Sequence, residues 1–296
     1  MSWNRSMNRG RWDGVTCDRF TGHVTGLDLN GKNLEGTIHP NSSIFQLCHI
    51  QMLDLSLNNF WGSQIPPSIG ELASLMHLNL SHSMFEGRIP LKISHLSKLV
   101  LLDLFSLYSN FQSSREGFNM LFRNLTKLEL ESKIPDAFSN FQKLTHLGLH
   151  INNFTGPFPS SLMNLTKLEV LCLNDNSLNG PLPFSANELQ NLKYVDLSRN
   201  SLNESIPSWM LSLPSLSDLH LEYNNFSGPF PEFKTNSMEH LYLSQNQLSG
   251  PIPHSLRDLV NLTYLSLGSN NLSCEVGAET FSTMKKIYNL DLSYSG

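Results

Sequence analysis

The sequence predicts an α/β repeat fold: a curved right-handed solenoid whose short strands line up as a parallel sheet on the concave side. A shared motif, a shared period and a matched set of apolar positions predict it. The motif L-x-x-L-x-L-x-x-N-x-L-x-G-x-I-P starts at Val24, Ile50, Leu75, Leu99, Leu125, Leu144, Leu168, Leu192, Leu216, Met238, Leu262 and Ile287. Successive starts lie 19 to 26 residues apart, most often 24, the mark of a repeat array. A length of 296 residues otherwise suggests about two domains, but unrelated domains do not share a period. One coil cannot bury its own leucines, whereas stacked coils can. The array is therefore read over 24–296 as about twelve units, the last incomplete.

Each stretch of the repeat has a physical task. In Leu168-Glu169-Val170-Leu171-Cys172-Leu173, alternation turns Leu171 and Leu173 inward and Val170, Cys172 and Asn174 outward, which predicts a short strand. The ninth position is Asn at Asn58, Asn152, Asn176, Asn200, Asn224, Asn246 and Asn270. An amide both donates and accepts, so it can satisfy backbone groups where the chain turns inside the coil. Glycines at Gly87, Gly156, Gly180, Gly228 and Gly250 are expected to permit tight backbone approach. The prolines that follow, such as Pro90, Pro159 and Pro253, predict an extended segment. Apolar residues then recur every third position, as in Ile69, Leu72 and Leu75 or Leu256, Leu259 and Leu262. That spacing predicts a short 3₁₀ or irregular turn on the outer side.

The pattern breaks in one place. Residues Phe105 to Arg123 lose the asparagine, with Leu107 in its place, and Phe118 to Phe122 read as a longer helical outer face. The unit from Leu125 to Leu144 has only 19 residues and passes from Leu130 almost directly to Ile134-Pro135. A distorted coil is expected over 105–143.

Composition narrows the function. A net charge of -5 with only 15% charged residues argues against a nucleic-acid partner, which calls for a basic stripe. A hydrophobic content of 40% suits a continuous core. No run approaches eighteen apolar residues, so no membrane span is expected, and Met1 to Ser6 shows no secretory signal. Four cysteines, Cys17, Cys48, Cys172 and Cys274, are too few for a disulfide scaffold.

The unit Asn246-Gln247-Leu248-Ser249-Gly250-Pro251-Ile252-Pro253 resembles the plant-specific leucine-rich repeat. Trp12-Asp13-Gly14-Val15-Thr16-Cys17 is similar to the end of the W-x-G-V-x-C cap that precedes such repeats in plant cell-surface receptors. The run Gly22 to Leu29 matches the usual first coil. The fold class is thus a leucine-rich-repeat solenoid, and residues 1–23 are read as a degenerate N-terminal cap, since no cysteine stands in Asn4 to Arg11 to partner Cys17 as the family pattern has it. The nearest group is the receptor-like proteins of the disease-resistance, Cf type. This resemblance implies an extracellular recognition module at the plasma membrane that binds a peptide or protein. It also implies a membrane receptor kinase as co-receptor, an adaptor kinase, and a role in immune or developmental signalling. A secreted inhibitor of a microbial polygalacturonase and a truncated, non-functional relative are the alternatives.

Outward strand positions carry the candidate ligand-binding residues. The third position of successive coils reads Tyr194, Asp218, His240, Tyr264; the fifth adds His220 and Tyr242; the seventh and eighth add Glu222 and Tyr223. Aromatic side chains bury much area at low entropic cost, which makes them anchors. The plainer reading is an ordinary solvated sheet face. Ten N-x-S/T sequons start at Asn4, Asn41, Asn79, Asn124, Asn153, Asn164, Asn203, Asn225, Asn261 and Asn271. They fit a glycosylated ectodomain, although Asn-Leu-Thr and Asn-Asn-Phe-Ser also belong to the repeat template. A glycan on Asn79, a strand residue, would obstruct a ligand at that end.

No cofactor or metal is expected. His146 and His150 share the outward face, but four residues of strand separate them by ~13 Å, too far for one zinc. His220 and His240 can approach diagonally but lack a third ligand. No nucleophile elbow, phosphate loop or kinase signature occurs, so no enzyme activity is expected.

Overall fold

The computed structural model describes residues 12–105, 133–185, 188–273, 281 and 283–293. Asn4, Asn124, Leu107, Phe118 to Phe122, Leu125, Leu130, Cys274 and Tyr294 to Gly296 lie outside the described residues. The chain forms two compact units, Met1–Leu144 and Thr145–Gly296.

In the first unit the strands are β1 (Val15–Cys17), β2 (Val24–Asp28), β3 (Met52–Asp54), β4 (His77–Asn79) and β5 (Leu101–Asp103). β1 pairs antiparallel with β2 through a bulge at Thr16/Cys17. From β2 to β5 the pairing is parallel and in register, with Leu27, Leu53, Leu78 and Leu102 abreast. All four are buried, as inward positions of a pleated strand should be. Gly14 seats the cap. Its φ is +78°, and a Cβ there would stand 2.0 Å from the Asp28 carbonyl oxygen, so close approach does require glycine at this turn.

In the second unit the strands alternate between two sheets. They are β6 (His146–Gly148), β7 (Thr155–Pro157), β8 (Val170–Cys172), β9 (Ser177–Pro181), β10 (Tyr194–Asp196) and β11 (Ser201–Glu204), then β12 (Asp218–His220), β13 (Asn225–Pro229), β14 (His240–Tyr242), β15 (Gln247–Gly250), β16 (Tyr264–Ser266), β17 (Asn271–Leu272) and β18 (Asn289–Asp291). β6, β8, β10, β12, β14, β16 and β18 form one parallel sheet, and β7, β9, β11, β13, β15 and β17 form a second. The leucine alternation predicts the first sheet. The second was not anticipated, because Ser-Leu-Asn-Gly-Pro reads as turn chemistry and only neighbouring coils turn it into a ladder.

The ninth-position asparagines bind coil to coil. Asn224 Nδ2 donates to the carbonyls of Leu197, Leu221 and Glu222, and its Oδ1 accepts the Leu202 N–H. Asn176, Asn200, Asn246 and Asn270 also donate to a carbonyl of the preceding coil as well as to their own. Asn58 does the same in the first unit, and Ser83, at the ninth position of its coil, donates to Leu55 and Ser81 in the asparagine's stead.

The outer turns are 3₁₀, at Pro67–Glu71, Leu91–His95, Asp136–Asn140, Ser160–Asn164 and His254–Asp258 among others. A proline with extended backbone precedes each of these five, as Pro90 (φ -66°, ψ 133°) and Pro135 (φ -64°, ψ 133°) show. The described end of the 19-residue unit, residues 133–144, thus has the ordinary turn geometry, with Phe138 and Phe141 buried. The glycine expectation needs correction. Gly180 and Gly250 have φ of +76° and +80° with nothing within 4 Å of an added Cβ. Their left-handed backbone, and not close approach, selects glycine there.

Candidate binding surface

The strand face from β8 to β18 gathers most of the candidate residues. The ladder sets Tyr194, Asp218, His240, Tyr264 and Asn289 abreast, and Asp196, His220, Tyr242, Ser266 and Asp291 abreast beside them. β10, β12, β14 and β16 each contribute a buried central residue, Val195, Leu219, Leu241 or Leu265, whereas Leu290 of β18 is exposed. The flanking third and fifth side chains are thereby turned away from the core.

Rings from neighbouring strands meet, His220 and Tyr242 directly abreast and the other pairs diagonally. Tyr194 and His220 lie 5.3 Å apart between centroids, tilted; His220 and Tyr242 stack at 4.2 Å with planes 15° apart; Tyr242 and Tyr264 stack at 4.3 Å with planes 26° apart. Tyr288 closes the series with its ring at 77° to Tyr264, 6.3 Å away. Tyr288 was not among the candidates because it occupies a second position, and its place in the column depends on β18 packing beside β16.

The polar candidates divide. His240 Nδ1 and the Asp218 carboxylate share a short hydrogen bond, and Ser217 Oγ donates to the same carboxylate. Glu222 stands 3.9 Å from His220 Nδ1 through Oε1, while its Oε2 is enclosed and accepts no hydrogen bond. Tyr223 leaves the column. It sits past the strand at φ +56°, and the Arg199 guanidinium covers its ring at 4.3 Å. Arg199 Nε also lies 3.9 Å from Asp175, so carboxylate, guanidinium and phenol form a row along the eighth position.

The face is acidic. Its second, third, fifth, seventh and eighth positions from Glu169 to Ser293 hold Glu169, Asp175, Asp196, Asp218, Glu222, Glu239 and Asp291, against Lys193 and Arg199. Lys193 Nζ donates to Glu169 at 2.7 Å and holds that carboxyl below its usual range. Burial, reinforced by the charge of Asp196, Asp218 and Glu222, pushes the Tyr194 phenol well above its ordinary value. Burial also raises Tyr242, with Tyr264 next in effect. Asp196 is raised by burial, which outweighs the hydrogen bonds it accepts from Ser198.

Of the sequon asparagines, Asn41, Asn153, Asn164, Asn203, Asn225 and Asn271 are exposed and Asn261 is half-buried. Asn79, at the end of β4, is half-buried and its Nδ2 donates to Asp54 at 3.1 Å. Cys17 and Cys48 form no disulfide. Among the described residues no three His, Cys, Asp or Glu side chains cluster closely enough to hold a metal ion. No helix among them is long and apolar enough to cross a membrane.

With the ladder in place, the comparisons agree with it. The model of a leucine-rich repeat region matches residues 26–228. This chain belongs to the leucine-rich repeat family. A further leucine-rich repeat match covers residues 232–272 of this leucine-rich repeat protein. Its curated relatives include Receptor-like protein 6 of Arabidopsis thaliana, 39% identical over an alignment of 171 residues that covers 53% of this chain and 17% of that protein. Receptor-like protein Cf-9 of Solanum pimpinellifolium is 39% identical over 167 residues, 54% of this chain and 19% of that one. The resemblance to plant receptor-like proteins of the Cf type is therefore shown, and the matched stretch spans about a fifth of those relatives' length. Among solved structures, a TDR receptor gives a TM-score of 0.70 at 30% identity over 91% of this chain and 47% of its own. PEPR1-AtPEP1 gives 0.74 at 27%, covering 98% and 41%. The plant peptide hormone receptor RGFR1 in complex with RGF2 gives 0.61 at 25%, covering 96% and 53%. The fold is a leucine-rich-repeat solenoid.

Proposed function

We propose that this chain is an extracellular recognition module of a plant cell-surface receptor-like protein and that its β10–β18 strand face receives a peptide or protein ligand. The ring column of Tyr194, His220, Tyr242 and Tyr264 carries the reading. Four large amphipathic side chains on consecutive strands, stiffened by mutual stacking, lose little freedom when a partner lands on them. The similarity to RGFR1, a peptide hormone receptor, supports the same assignment. Tyr223, engaged by Arg199, belongs to the rim of this surface.

By resemblance, the module works outside the plasma membrane, bears glycans on its exposed sequons, and pairs with a co-receptor kinase and an adaptor kinase. A ligand that bridges two ectodomains raises the effective concentration of their inner partners, so signalling needs no catalysis in this chain.

The test is panning of a phage-displayed random peptide library on the 296-residue protein. Selected peptides should bind, and Tyr242→Ala combined with Tyr264→Ala should weaken them roughly 10- to 100-fold, two anchors' worth, with thermal unfolding little changed. Equal binding by the double variant sinks the reading. Inhibition of a fungal polygalacturonase by the protein, with no peptide selected, would replace it by the inhibitor alternative.

A further inference from the structure

We propose that the ligand of this face is a basic peptide, with an arginine or lysine side chain seated against the His220–Tyr242–Tyr264 column and its charge answered by Glu222 and Asp218. The inference rests on the recognition reading above and names the chemistry of the partner.

Charge is the first argument. Lys193 and Arg199 are each beside a carboxylate, Glu169 and Asp175. That leaves Asp196, Asp218, Glu222, Glu239 and Asp291 on the same face with no lysine or arginine salt bridge among the described residues. An acidic peptide would meet like charge, whereas a cationic one meets complementary potential, which guides encounter and orientation.

Glu222 supplies the second argument. Its side chain is only 19% exposed, and Oε2 has no donor among the described residues. A carboxylate oxygen withdrawn from water without a hydrogen bond is costly. The terminal torsion of glutamate is broad, so the carboxylate can turn partway toward an incoming guanidinium fork, whose N–H groups supply the missing donors. Asp218, joined to His240, lies four residues before Glu222 in the same coil, on the other side of His220.

Ring geometry separates a cation from a sugar. His220, Tyr242 and Tyr264 cover one another's faces at 4.2 and 4.3 Å. The column therefore offers its phenol oxygens, which accept hydrogen bonds from guanidinium or ammonium N–H groups. A sugar that stacks on an open ring face finds the inner faces taken. Elsewhere on this face a guanidinium is already bound by an open ring and a carboxylate: Arg199 lies over Tyr223 and 3.9 Å from Asp175.

The experiment uses fluorescein-labelled nonapeptides of one Gly/Ser/Trp frame with three arginines, three citrullines or three glutamates, and cellohexaose as the sugar probe. The arginine peptide should bind at 0.15 M salt, the citrulline peptide at least tenfold more weakly, and the glutamate peptide and cellohexaose not measurably. Glu222→Gln combined with Asp218→Asn should raise the arginine peptide's Kd about tenfold; Glu71→Gln with Asp136→Asn, charges on the outer turns, should not. Should the first pair fail to fold by circular dichroism, Glu239→Gln, an exposed residue of the same face, should weaken the arginine peptide about threefold. Equal binding of arginine and citrulline peptides, binding of cellohexaose alone, or indifference to these carboxylates overturns the proposal. If library-selected neutral or acidic peptides bind and lose affinity in the Tyr242/Tyr264 double variant, the cation assignment fails and the recognition reading stands. If no peptide responds to that double variant, both fail.

Discussion

Asp196 shows how a single outward side chain serves the coil. Its Oδ1 accepts from the Ser198 N–H and hydroxyl at the end of β10, and Asp54, Asp103 and Asp291 accept the corresponding amide in their coils. The aspartate therefore has a structural role, closing an Asx turn, before any ligand is considered. Burial raises its folded pKa above the unfolded value. Between those two values the folded state holds a proton that the unfolded state has released, so this group's contribution falls as pH rises. Asp196→Asn keeps the turn acceptor and removes the buried charge. It should raise Tm at pH 7, and the gain should vanish below the unfolded carboxylate range; a loss at pH 7 would show that the charge itself is required. Glycines give a second contrast. Gly180→Ala should cost about 1 to 2 kcal/mol for its left-handed backbone alone, read by urea denaturation. Gly14→Ala should cost more, because a Cβ meets the Asp28 carbonyl. Equal losses would contradict that distinction.

Within the coil, the asparagine and the strand work as one part. Asn224 is buried and makes four hydrogen bonds to the backbone of two coils. Asn224→Ala leaves the Leu202 N–H and several carbonyls without that partner, and unsatisfied buried groups cost about 1 to 3 kcal/mol each. A loss of roughly 3 kcal/mol or more is expected in chemical denaturation, against less than about 0.5 for the exposed Gln245→Ala. The strands and this ladder were legible in the sequence because their residues must all face inward at one period. The second sheet was not. Its residues, such as Ser201 to Glu204, have low strand propensity alone and become strands only where parallel neighbours such as Ser177–Pro181 and Asn225–Pro229 pair with them.

For the whole chain, the two faces of the second unit divide the labour of recognition and covering. Asn203, Asn225 and Asn271 project from the second sheet, on β11, β13 and β17, while the ring column occupies the first. Glycans there leave the proposed ligand face open. Asn79 differs, because the nitrogen that would carry its glycan donates to Asp54. Glycan mapping by mass spectrometry of the protein secreted from plant cells behind an added leader should find Asn153 and Asn203 more fully occupied than Asn79. Full occupancy at Asn79 would mean that the Asp54 contact yields readily to modification.

The amino-acid order by itself determined the coil: period, inward leucines, asparagine ladder, outer 3₁₀ turns and the register that sets Tyr194 beside Asp218. Each follows from a residue's own repeat position, since a side chain of the wrong kind would leave the core open or a buried backbone group unsatisfied. Only the tertiary structure decided which outward side chains meet. Residues 22 to 25 positions apart are brought to strand spacing, and there the choice between stacking, pairing and enclosure depends on neighbours from adjacent coils. That is why His220 stacks on Tyr242, Tyr223 turns to Arg199, Tyr288 joins the column, and Glu222 keeps one carboxylate oxygen enclosed without a donor among the described residues.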